Sequence, residues 1–276
     1  MAEMTMARFH EFVVILYAVS LVFYFIDYLN KDTVAHRSAF WILSLVYVLQ
    51  TGYLIFHMIE TKRFPILSLF EGIYFFSWLL ITLSIILHLI YKVGFAVFFL
   101  NVIGFIFMTI YTFAPFQIEQ SPIGDSLISE LLFIHVTFAI LSYAAFAISL
   151  VFAILYLLVY KVLKKKKWTK QFARFPSLHQ STIGMKAAIF TGIPLLLISL
   201  ILGMQWATVA LEHWTFMDVK ILGSFFLILL YSLVLFLQKS GKLTANDFAW
   251  ANVFAFLFVI INFFLGSKLS QFHFWI

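Results

Sequence analysis

Cysteine is absent from the 276-residue chain, which excludes disulfides, thiolate-bound metals, thioether-anchored prosthetic groups and cysteine nucleophiles. Charge is scarce. Charged side chains make up 11% of the residues and apolar ones 64%, against about 25% and about 45–50% in ordinary soluble domains. With 36 phenylalanines as well, no soluble fold of this length could hide so much apolar surface in one core, so lipid must be part of the solvent. The short motifs of nucleotide binding and hydrolysis are also missing: there is no GxxxxGKS loop, no GxGxxG after a strand, no HExxH and no GxSxG. An enzyme is therefore not expected.

What is present is a series of long apolar runs. A span needs roughly 20 apolar residues to cross about 30 Å of hydrocarbon. Eight segments qualify, at about 11–29, 39–59, 70–91, 94–113, 130–160, 187–206, 219–237 and 249–267. They are continuous rather than alternating, which selects helices over barrel strands. The sequence thus predicts an all-α, polytopic membrane protein of about eight transmembrane helices, forming a single integral-membrane domain over 1–276. The run beginning near Phe12 lacks the charged flank and small-residue cleavage site of a signal peptide and reads as a retained span. The third and fourth runs are separated only by Lys92 and Val93, and the fifth is long enough to require tilt or a cytoplasmic extension.

Basic residues set the expected orientation. Lys161, Lys164, Lys165, Lys166, Lys167, Lys170, Arg174 and Lys186 cluster after the fifth span, while the segments 114–129 and 207–218 contain neither Lys nor Arg. The positive-inside rule then makes the lysine-rich connection cytoplasmic and puts both termini on the extracytoplasmic side. The cluster reads either as a topology determinant lying against anionic lipid or as the contact for a cytoplasmic protein or tRNA. It lacks the interleaved aromatic platforms of a nucleic-acid surface, and no nucleic-acid partner is expected.

The scarce polar groups gather unevenly. The stretch QWATVALEHWTFMDVK, 205–220, holds Trp206, Glu212, His213, Trp214 and Asp218 beside Lys220. This orientation sorts His36, His88 and His179 to the cytoplasmic side and His10, His57, His135, His213 and His273 to the outer side. His57 and Glu60 share a helical face, but one such pair makes no metal site. His135 heads a small-residue face in the fifth span, with Ser142 and Ser149 at intervals of seven and Ala139 and Ala145 adjoining. That face serves ordinary helix packing or a ligand. His273, in the tail LSQFHFWI, is either a solvated terminal histidine or a second ligand. Two neutral imidazoles from different helices can hold haem iron at both axial positions. Trp206 and Trp214 then pack on a macrocycle or sit in an interfacial belt, and Asp218 orients a ligand or marks the end of a span.

Four segments resemble the cytochrome c assembly membrane family, which includes CcsA and CcmC, and most closely its HemX-like branch. RFPILSLFEGIYFFSW is similar to the family's FPLSNLYESLxFLSW, retaining Phe64, Pro65, Leu67, Ser68, Leu69, Glu71, Phe76, Ser77 and Trp78. IHVTFAILSYAAF is similar to MHVSMMILSYAAL and places His135 on an outer haem-ligating histidine. SLHQSTIGMKAAIFTGIPLLLISLILGMQWA resembles the helix entering the tryptophan-rich outer loop, and FLGSKLSQFHFWI the region of the second outer ligand, His273. That loop, roughly WANEAWGSYWSWDPKE in the family, keeps Trp206, Ala207, Ala210, Asp218 and Lys220; Trp214 stands for a tyrosine, and three tryptophans are replaced by Leu211, Thr215 and Met217. The two intramembrane histidines that carry haem across the bilayer in the family's assembly proteins correspond to Arg63 and Phe236. The resemblance implies a bacterial cytoplasmic-membrane protein binding haem b non-covalently, with His135 and His273 on the metal and Trp206, Trp214 and Asp218 around the cofactor. It implies a regulator of haem biosynthesis that lowers the abundance of glutamyl-tRNA reductase, through the reductase or its protease as partner. The alternative is a haem transporter or chaperone in cytochrome c assembly.

Overall fold

A computed structural model describes residues 2–30, 32–66, 68–91, 94–113, 130–166, 175–211, 214–266 and 269–270. Among these residues the regular structure is entirely helical: α1 (Ala2–Asn30), α2 (Thr33–Thr61), α3 (Leu69–Tyr91), α4 (Gly94–Phe113), α5 (Glu130–Lys164), α6 (Leu178–Ala210), α7 (Val219–Lys239) and α8 (Ala245–Ile261). A π-helical turn, Asn262–Gly266, continues α8. All eight helices are long and apolar enough to cross a bilayer, as the sequence predicts.

Local chemistry fixes the helix starts. Asp32 accepts from Val34 N–H to cap α2, Asp218 from Lys220 N–H to cap α7, and Thr244 from Asp247 N–H to cap α8. Ser177 and Gln180 form a reciprocal capping box on α6, starting that helix at Leu178, well ahead of its hydropathic run. Lys62, at φ 54°, closes α2 in the left-handed conformation. The 35 residues of α5 would extend about 50 Å, beyond a bilayer's hydrocarbon.

The helices form two compact units, α1–α4 and α5–α8. In the first, α1 packs against α2 and α4. Tyr17 is fully buried there and donates to Asn101 Oδ1 at 3.0 Å, and Asn101 in turn donates to Ser84 Oγ at 2.9 Å. Trp78 Nε1 donates to Thr51 Oγ1 at 2.9 Å. Arg63 clamps Glu71 with two bonds of 3.0 and 2.8 Å, and Glu71 also lies 3.8 Å from His57 Nε2.

In the second unit α5 is central, packed against α6 and α8, with α7 seated on α6 and α8. The small α5 face does meet neighbours: Ser149 donates to Asn252 Oδ1 at 2.7 Å and to the Met185 carbonyl at 3.3 Å. Phe146 of α5 stacks on Tyr231 of α7 with centroids 4.1 Å apart and planes parallel to 1°. Such polar contacts between membrane helices replace the hydrophobic drive that lipid removes.

Candidate functional site

His135 faces α6 from the first turns of α5. Its Nδ1 lies 2.6 Å from the Ser199 carbonyl oxygen, which can only accept, so Nδ1 carries the proton. The Ser199 hydroxyl stands 3.1 Å from the same nitrogen and donates to the His135 carbonyl at 2.9 Å. The ring is thereby held in one tautomer, and in the neutral imidazole Nε2 is the nitrogen with the lone pair. A ligating histidine is usually fixed in this way, with its other N–H on a carbonyl.

Gly203, one turn beyond Ser199, admits the ring. A Cβ at Gly203 would sit 2.5 Å from the His135 ring, closer than real side chains approach. The histidine therefore occupies a notch on α6 that only glycine leaves open.

Around it lies a cavity of about 70 Å³, walled by apolar groups including Leu132, Val136, Ile140, Leu196 and Ile221, with Trp206 at its edge. Lys220 and Phe263 also line it. Lys220 Nζ donates to the Asn262 carbonyl at 3.0 Å and lies 5.6 Å from the centroid of the Phe263 ring. It thus caps carbonyls of the π-helical turn and puts an amine beside a largely apolar chamber.

Asn262 ties these elements together, donating to Tyr143 Oη at 3.2 Å and Ser224 Oγ at 3.3 Å. Gly223 and Gly266 give its side chain room, since a Cβ on either would collide with the amide.

The sequence-predicted residues separate into groups. His135 and Trp206, which is 6% exposed, line the cavity together. Trp214 packs with Met204, Leu211 and Ile228 around Leu200 and Ile221, its ring 4.4 Å from that of Phe216, and is not part of the cavity lining. Asp218, 3% exposed, caps α7 through Lys220 N–H at 2.8 Å and accepts from Ser270 Oγ at 2.8 Å. His273 and His213 lie outside the described residues.

Sequence reading missed Ser199, Gly203 and Asn262. The pairing of Ser199 with His135 bridges 64 positions. Only the polar character of Ser199 and Asn262 within apolar runs hinted at them.

The donor chemistry fits haem: a tautomerically fixed imidazole, apolar walls, an indole and a nearby lysine amine that a propionate could pair with. The enclosed volume falls well short of the ~300–1,000 Å³ of a whole-ligand pocket.

The family model for cytochrome C assembly protein matches residues 66–273, three quarters of the chain. The protein belongs to the cytochrome c assembly family. It is 45% identical over 273 residues to Protein HemX of Bacillus subtilis (strain 168), covering 99% of each chain. It is 36% identical to Protein HemX of Brevibacillus brevis, over 96% of this chain and 97% of that one. Cytochrome c biogenesis protein CcsA of Guillardia theta is 27% identical over 78% of each chain. Within this assembly family the chain is a multi-pass membrane protein related along its whole length to HemX.

Proposed function

We propose that this protein binds haem b non-covalently between α5, α6 and α7, with His135 and His273 on the iron, and acts as a haem-responsive regulator lowering the abundance of glutamyl-tRNA reductase. The observation that supports the site is the Nδ1–H of His135 on the Ser199 carbonyl, which puts the lone pair of the neutral imidazole on Nε2, with the ring lining a largely apolar cavity. Haem, when bound, would supply an iron that neutral imidazoles can ligate.

His273 is assigned from the family resemblance alone. Ser270 is bonded to Asp218 at the start of α7, two residues before cavity-lining Lys220. Trp206 lines the cavity, Lys220 would pair with a propionate, and Asp218 and Trp214 hold the α6–α7 connection.

A regulatory role requires a change in helix packing. Two arrangements of α5–α7 with different affinity for haem are required, the close-packed one described above and a wider one that haem favours; tight binding to both would shift nothing. The lysine-rich connection after α5 reports the change to the reductase or its protease.

The alternative is haem delivery to an extracytoplasmic acceptor. It is disfavoured by Arg63, at a family intramembrane histidine position, which is committed to Glu71 by a two-bond clamp. Deleting the gene and measuring reductase abundance together with covalent cytochrome c separates the readings. Raised reductase with normal cytochromes supports regulation, and lost cytochromes with unchanged reductase overturn it.

A further inference from the structure

Residues 1–65 lie outside the matched family region, yet α1 and α2 carry an unusual polar pattern. On α1, His10, Tyr17 and Tyr24 recur every seven residues, followed by Asp27 one turn on; they are 3%, 0%, 4% and 7% exposed. At 1.5 Å per residue, His10 and Asp27 are about 25 Å apart along the axis, close to the thickness of the hydrocarbon. The buried face of α1 therefore carries ionisable and hydroxyl groups at intervals nearly through the bilayer, with Val13 and Val14 between His10 and Tyr17 and Ser20 between Tyr17 and Tyr24. An apolar bundle needs no such line, and buried ionisable groups in membrane helices are costly.

Each member meets polar partners from other helices. At one end, His10 Nε2 stands 3.5 Å from Tyr111 Oη, which is 3.1 Å from Tyr53 Oη. The His57, Glu71 and Arg63 cluster follows, with the His57 ring centroid 6.0 Å from that of Tyr53. Tyr74, also beside His10, donates to the Gln50 carbonyl at 3.3 Å. In the middle, Tyr17 is held by Asn101, and Gly104 makes room for its hydroxyl, which a Cβ there would meet at 2.5 Å. At the other end, Tyr24 lies against His36, which bonds Asp27 Oδ2 at 2.9 Å and faces His88 with centroids 5.5 Å apart.

A second observation falls on the same line. Within α1–α4, the buried side-chain atoms without a hydrogen-bond partner among the described residues are His10 Nδ1, Tyr24 Oη, Gln50 Oε1 and His88 Nδ1. His10 and Tyr24 stand on α1 itself and His88 beside His36 at its Asp27 end, while Gln50, on α2, meets Tyr74 through its backbone carbonyl. Orphaned buried polar atoms are normally satisfied by ordered water, and the atoms on His10, Tyr24 and His88 are where water would join the column.

We propose that the α1–α4 unit conducts protons across the membrane along this column, with water linking His10, Tyr17, Tyr24 and the Asp27–His36–His88 group. A proton taken up at one end is accepted on a lone pair of His10, a hydroxyl or a water. That member releases its own proton to the next, and Asp27 or a neighbouring histidine passes one proton out for each that entered. Rotation of the hydroxyls and waters resets the chain. The conduction is passive, needs no cofactor and is independent of haem binding in α5–α8.

The test uses full-length protein in liposomes loaded with potassium and the pH dye pyranine, with valinomycin imposing an inside-negative potential. Wild type should acidify the lumen faster than protein-free liposomes. Tyr17→Phe keeps the ring but removes the hydroxyl, and Asp27→Asn keeps the shape but not the titrating oxygen. Each should slow the protein-dependent flux roughly tenfold or more, as a barrier raised by about 1.4 kcal/mol would do. Tyr231→Phe, which removes a buried unpartnered hydroxyl from α7, should conduct like wild type. Flux no faster than in protein-free liposomes, or Tyr17→Phe and Asp27→Asn proteins that elute as wild type and conduct equally fast, overturns the proposal.

Discussion

Gly203 and Ser199 hold the His135 ring in different ways, and substitution should distinguish them. Gly203→Ala brings a carbon against the ring that neither helix can avoid, so the imidazole must leave its notch. We expect this substitution to cost about 1–3 kcal/mol in stability, as overpacking does, and to weaken haem binding. Ser199→Ala keeps the carbonyl that fixes the tautomer and removes only the hydroxyl contacts. It should cost about 0.5–1.5 kcal/mol and leave haem binding largely intact. Thermal unfolding in detergent with haem titration of both variants checks the contrast. At this scale the sequence was only partly legible. His135 stood out as a histidine within an apolar run, whereas its partner lies 64 positions away and no periodicity links the two. Likewise the His57–Glu60 spacing suggested a local pair, but the carboxylate that faces His57 is Glu71, from the next helix.

Among the helices, the eight spans were legible because bilayer thickness imposes a length that hydropathy reveals directly. Their ends were less so. The start of α6 at Leu178 comes nine residues before the apolar run at 187, because the capping box nucleates the helix while Lys186 interrupts the hydropathic signal without interrupting the backbone. The seam between α5, α7 and the π-helical turn is held by polar contacts that hydropathy does not register. Asn262→Ala removes two of them and should lower the unfolding free energy by about 1–2 kcal/mol, within the range for polar contacts between membrane helices. Asp218→Ala removes the α7 cap and the Ser270 bond, and a cap alone is worth about 1 kcal/mol. Thermal shifts of the two purified variants measure both effects.

For the whole molecule, the account requires α5–α7 to occupy two arrangements. The absence of native cysteine makes this accessible to labelling, since cysteines introduced by Leu132→Cys and Met204→Cys on the cavity wall would be the only thiols. Spin labels at these positions should move apart when haem is added; an unchanged separation with haem bound would remove the regulatory element. The family was legible from the segments around Phe64, His135 and Trp206, and the match over 66–273 confirms that membership. The α1 polar column was not, because its heptad spacing carries meaning only when α2, α3 and α4 are seen to place polar groups against it.

The most direct test of the haem site is the visible absorption spectrum of detergent-purified protein, with and without added haem, for wild type and for the His135→Ala, His273→Ala double variant. Wild type should show the sharp reduced bands of bis-histidine haem, and the double variant should lose them. A double variant that retains a full haem complement with the wild-type spectrum would contradict the assignment.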